Sequence, residues 1–322
     1  VVITRVIKVM ETLVLLLASH LLTWHLAFSE VALVGRYEEL DGGIEMVWQP
    51  PPLSEKKKGI MLLLHGCHHS ATDMWPRSES CPRCIGLPIE SKIVKESLSR
   101  GWVVVSVSSV NRDHKCWHAE RDEPRIAIVI DTIQSKTGAP RRIAAIGASS
   151  GGIMATSLYK IDGIVGVVSQ VMSTRVRPDH LPTRFVHMRR DEHRATYIDR
   201  QIATLRTKGI DVDQFIVDPH PLTIERFWPG PGGVPPVPTR QLAQDIFAAL
   251  RRDQIIDASN FLIEDPRQSH WRDILRPIIP PSIDSLQADA SPISEIFNTA
   301  YAFHEFTDAF LSQCLDWIES KI

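Results

Sequence analysis

Three stretches of this chain are apolar at nearly every position, and amphipathic segments lie between and after them. "GIMLLLHG" (59–66), "WVVVSVSSV" (102–110) and "RRIAAIG" (141–147) have the uninterrupted apolar character of strands buried on both faces. "ESKIVKESLSRG" (90–101) and "EPRIAIVIDTIQSKTG" (123–138) have helical spacing and a terminal glycine, with Pro124 expected in the first turn of the second. The alternation continues with a helix over 151–160, strands over 162–172 and 183–191, an amphipathic helix over 192–209 and a short strand over 211–221. Strand and helix in turn over 150 residues predict a three-layer α/β/α sandwich around a mostly parallel sheet.

The pattern changes after Pro221. "FWPGPGGVPPVPTR" (227–240) reads as a Pro/Gly loop, and helical stretches follow to about residue 300. Residues 222–300 are therefore expected to be a helical insertion over one edge of the sheet. Its aromatics Phe227, Trp228, Phe247, Phe261, Trp271 and Phe297 either line the pocket or form the insertion's own core. "TDAFLSQCLDWIES" (307–320) predicts a closing helix with Thr307 or Asp308 as N-cap.

The first 29 residues stand apart. Arg5 and Lys8 precede a long apolar stretch that ends at Ala27-Phe28-Ser29, the order of a secretory signal peptide or an uncleaved membrane anchor. Residues 30–322 are then the folded domain, in the secretory pathway or outside the cell, touching a membrane only through the N-terminal segment. Four of the five cysteines, Cys67, Cys81, Cys84 and Cys116, are close in sequence and could form one or two disulfides, with Cys314 free. "CPRC" has no second C-x-x-C or spaced histidine pair, so it does not read as a zinc site. The formal charge of −2 and the lack of a basic stripe argue against nucleic acid as a partner.

The candidate chemistry centres on "GASSGG". Ser149 lies between a buried strand and a helix, with Gly147 and Gly151 two residues to either side, the setting of a nucleophile elbow. Asp191 ends a strand two beyond that of the serine and is the candidate acid, with Glu192 and Asp218 as alternatives; Asp191 could also be only the N-cap of the next helix. His304, in "AYAFHEF", precedes the closing helix and is the candidate base. His220 follows the last strand directly but is held between Pro219 and Pro221. His65, His68, His187 and His270 are expected to be structural or to line the site.

With "HGCHH" after an earlier strand and the order Ser, Asp, His, the chain resembles the α/β-hydrolase superfamily over 59–221 and the closing helix. "HGC" is also similar to the corresponding loop of polyester depolymerases and feruloyl esterases. The longer pattern (HGCxH, CPxC, GxSSGG and AYxxHE) resembles a plant and algal branch of the fold. The resemblance implies an oxyanion hole from the N–H of Ser150 and that of Cys67 or His68. It also implies a serine hydrolase acting on a small-molecule or polymer acyl ester without metal or organic cofactor. An amidase or peptidase of the same fold, or a non-catalytic binding member, is the alternative.

Overall fold

The computed structural model describes residues 31–172, 175–230, 236–280, 286 and 291–322. The expected signal peptide or anchor at 1–29 lies outside the described residues. Eight strands form one sheet: β1 (Arg36–Leu40), β2 (Ile44–Gln49), β3 (Gly59–Leu64), β4 (Trp102–Val107), β5 (Ile143–Ala148), β6 (Ile164–Gln170), β7 (Thr183–Met188) and β8 (Val212–Val217). Their spatial order is β1-β2-β4-β3-β5-β6-β7-β8. Strands β3 to β8 are parallel, while β2 pairs antiparallel with both β1 and β4.

The hairpin β1–β2 is an addition to the elements expected from sequence. Its turn, Asp41-Gly42-Gly43, places both glycines at positive φ (78° and 67°), which a side chain would resist.

Helices cover both faces of the sheet. Because successive strand residues face opposite ways, Ile60, Leu62 and Leu64 of β3 pack with α2 (Ala119–Thr137) and α3 (Ser150–Ser157). Phe185 and Val212 meet Ile198, Ile202 and Leu205 of α4 (Glu192–Thr207). On the other face lie α1 (Pro88–Ser99) and α9 (Leu311–Glu319). Trp317 of α9 sits where a Cβ on Gly166 would fall 2.8 Å from its ring, so Gly166 lets the helix close on β6.

Two helix starts differ from expectation. α2 begins at Ala119, which places Pro124 inside the helix rather than in its first turn. Buried Asp122 sets the start: its carboxylate accepts from the N–H groups of His118 and Val110, both at 2.7 Å. α9 begins after Phe310 in the left-handed region, not at Thr307 or Asp308. Thr307 bonds instead to the side-chain amide of Gln170 through both its N–H and its carbonyl.

Between β8 and α9 lie α5 (Ile224–Phe227), α6 (Arg240–Arg252), α7 (Trp271–Leu275) and α8 (Pro292–Tyr301). They share a core in which Phe297 meets the rings of Trp271 and Phe227 edge-on, at 4.8 and 5.9 Å. Phe227, Phe247, Trp271 and Phe297 are therefore core residues, and Trp228 packs against them. The Phe297→Ala protein is expected to lose about 3–5 kcal/mol of stability through the cavity left behind, read as a lower urea midpoint of the purified chain.

Candidate active site

Ser149 follows the last residue of β5 and precedes α3, at φ 52° and ψ −118°. A residue held in so unfavourable a conformation needs its surroundings to enforce it, and the flanking glycines permit this. A Cβ on Gly147 would sit 2.2 Å from Gly151 O, and one on Gly151 2.1 Å from Leu64 O. The backbone therefore closes tightly enough to lift the serine side chain out at the carboxyl end of the central strands, where open α/β sheets carry their sites. Ser149 N–H is anchored to Gln170 O at 3.0 Å.

Ser149 Oγ donates to His304 Nε2 at 3.0 Å, and His304 Nδ1 donates to Asp191 Oδ2 at 2.7 Å. The elbow, the buried acid three residues beyond β7 and the imidazole before α9 thus meet in one line, on a sheet ordered 1-2-4-3-5-6-7-8 with an antiparallel second strand.

The fold is that of the α/β-hydrolases.

No family model and no curated protein matches the chain. Among solved structures, the chain is similar to an acylaminoacyl peptidase of Pyrococcus horikoshii at 14% identity and TM-score 0.45, over 60% of this chain and 38% of that one. It therefore spans well under half of that peptidase. A carboxylesterase of Mesorhizobium loti is similar at 14% identity and TM-score 0.41, over 56% of this chain and 90% of that one. Thermogutta terrifontis esterase 2, phosphorylated by paraoxon, is similar at 11% identity and TM-score 0.41, over 59% and 84%.

Within this fold, Asp191 makes the contacts of both readings between which the sequence left a choice. One carboxylate oxygen faces His304 and the other accepts from Arg194 N–H at the start of α4. Asp218 instead pairs with Arg189 at the surface, and Glu192 is exposed in the first turn of α4. His220 does not take the place of the base: its N–H donates to Ala300 O, and the bond to Ser149 is made by His304.

The loop carrying His304 is held from several sides. Arg267 donates to the carbonyls of Phe303 and His304, both at 2.9 Å, and lies 3.6 Å from Glu305. Buried Gln170 holds Thr307 by two bonds of 2.9 Å. Arg190 N–H reaches Ala302 O at 3.1 Å. Neither Arg267 nor Gln170 carries a local motif; their partners are backbone atoms far along the chain.

Gly66 abuts Ser149, a Cβ there falling 3.7 Å from that of the serine. His68 N–H donates to His114 O at 2.9 Å, which removes it as an oxyanion donor and leaves Cys67 and Ser150. Cys67 is disulfide-bonded to Cys116, tying this loop to the one after β4, and Cys81 is bonded to Cys84. Cys314 is free and buried, and burial pushes its thiol up to about 12, so it is unreactive. His65 is structural: burial holds it down to about 4, and it receives the N–H of Ser109 while its own Nδ1–H donates to Gly66 O. His187 bonds to Gln214.

A cavity of about 200 Å³ opens over Ser149 and His304, lined in part by Cys67, His68, His69, Glu90, Arg267 and Glu305. His69 is a second histidine on an aspartate, with Nδ1 3.0 Å from Asp73 Oδ2. Burial by itself would lower its pKa. The hydrogen bond and charge of Asp73 outweigh that and raise it to about 9, so this imidazole is a cation at neutral pH. Its stabilisation is complete below the unfolded value near 6.5 and is lost as pH rises through about 9. An NMR titration should give a His69 midpoint near 9 in the wild type. In Asp73→Asn it should fall below 6.5, with loss of the fall in stability between those pH values.

Proposed function

We propose that the protein is a serine hydrolase that cleaves a carboxylic ester through an acyl-enzyme. The observation that carries this reading is the relay Ser149 Oγ to His304 Nε2 to Asp191 Oδ2, at 3.0 and 2.7 Å, on a nucleophile elbow. His304 Nε2 takes the serine proton as Oγ attacks the ester carbonyl, and Asp191 orients the ring and balances the imidazolium. The oxyanion of the tetrahedral intermediate is stabilised by the N–H groups of Cys67 and Ser150; among the described residues neither has a hydrogen-bond partner. The N-terminus of α3, which begins at Ser150, adds its positive end to the same point. Collapse of the intermediate breaks the ester C–O bond, and the proton on His304 passes to the leaving alkoxide. Water then repeats the sequence on the acyl-serine and releases the acid.

The two disulfides are compatible with an extracellular protein, and no helix among the described residues is long and apolar enough to cross a membrane. We place its work in the secretory pathway or outside the cell, on a small-molecule or polymer ester.

A fluorophosphonate probe is expected to label the wild type and not Ser149→Ala; equal labelling of both overturns the nucleophile. With p-nitrophenyl esters, Asp191→Asn should lower kcat by about 10⁴-fold. Matched p-nitroanilides should be turned over far more slowly than the esters. Faster cleavage of the anilides replaces esterase by amidase.

A further inference from the structure

The cavity above Ser149 has one conspicuously polar wall. Its polar lining comprises Glu305, which follows His304 in the chain, with Arg267, Glu90 and His69, and a leaving group must depart towards His304 to collect its proton. These groups are close enough to feel one another's charge. Glu90 is buried, and His69 has a side-chain exposure of 13%.

Three of the four face an opposite charge. Arg267 faces Glu305, and His69 faces Asp73. Glu90, in the first turn of α1, neighbours the buried Glu295 of α8, and its Oε2 is buried without a hydrogen-bond partner among the described residues. Burial raises both above the ordinary carboxyl range, and the charge of Glu90 raises Glu295 further. Glu295 Oε2 accepts the N–H of Ile89 at 3.1 Å.

The result is a wall that offers both donors and acceptors. His69 is the donor: its Nδ1 is occupied by Asp73, while its Nε2 has no hydrogen-bond partner among the described residues. Glu90 and Glu305 contribute carboxyl oxygens. A hydrocarbon chain placed here would leave these groups without partners. An anion would meet Glu305, and a cation would meet His69 and Arg267. A hydroxyl group both donates and accepts and satisfies such a wall.

We infer that the ester's leaving alcohol is a polyol, whose free hydroxyls bind His69 and Glu90 while its ester oxygen faces His304. This inference rests on the ester-hydrolase reading above and adds the class of alcohol. A site built to bond hydroxyls discriminates strongly against the analogue lacking them.

The test compares 2,3-dihydroxypropyl and n-propyl esters of acetic, butyric and octanoic acids, using the full chain and with Ser149 labelling measured in parallel. The dihydroxypropyl ester is expected to have the higher kcat/KM by at least about tenfold. Glu90→Leu and His69→Leu should each reduce that ratio to below about threefold, whereas Glu90→Gln, which keeps a polar side chain of the same shape, should keep most of it. Should the leucine variants fail to fold, the wild-type ratio and Glu90→Gln decide. A wild-type ratio near one overturns the polyol inference and leaves the hydrolase standing. Labelling of Ser149 without turnover of any dihydroxypropyl ester also overturns it. Absence of both labelling and turnover overturns the hydrolase reading itself. A preference for choline butyrate over 3,3-dimethylbutyl butyrate larger than any dihydroxypropyl preference replaces the polyol by a cationic alcohol.

Discussion

The site depends first on a steric constraint at one turn. For Ser149 to stand at φ 52°, the first turn of α3 must press against both the end of β5 and the end of β3. Backbone oxygens then occupy the places where side chains at 147 and 151 would begin. The same contact that strains the serine brings β3's outgoing loop beside it, so Ser149 and Cys67 are positioned together. Such strain persists only where the surroundings over-determine it. Here the centre of an eight-stranded sheet, with β3 and β6 on either side of β5, supplies them.

The histidine is positioned by a different principle. Its loop has little regular structure, with Ala302 and His304 both at positive φ (59° and 43°). Order comes from outside the loop: Arg267 grips two carbonyls, Gln170 clamps Thr307, and Asp191 holds the ring. Arg267 belongs to the segment between β8 and α9, whose aromatics are spent on their own core. That segment's contribution to the pocket is thus a cation that fixes the loop, rather than an apolar lining.

Burial accounts for the opposite states of the histidines near the site. His65 and His69 are four residues apart and both are enclosed. His65 hydrogen-bonds only to backbone groups and is driven neutral by burial, whereas the direct bond to Asp73 keeps His69 charged. One aspartate reverses the outcome because a nearby opposite charge in a poorly solvated place outweighs the desolvation that acts on both.

Much was legible in the chain alone. The apolar runs at 59–66, 102–110 and 141–147 located β3, β4 and β5, because a strand covered on both faces has no polar side. Gly147, Ser149 and Gly151 marked the elbow, since local backbone sterics admit few other residues there. Asp191 and His304 are preferred by their places in the order of elements, with Asp218 and His220 as alternatives. The tertiary structure alone decided that choice, because the bond between Ser149 and His304 joins residues 155 apart and exists only once the sheet has brought both loops to one edge. It also decided the pairing of Cys67 with Cys116, the engagement of His68 N–H by His114, and the grip of Arg267 and Gln170 on the histidine loop. Local sterics and periodicity are written in neighbouring residues. Long-range hydrogen bonds to backbone atoms leave no such trace, since any residue type can supply the carbonyl.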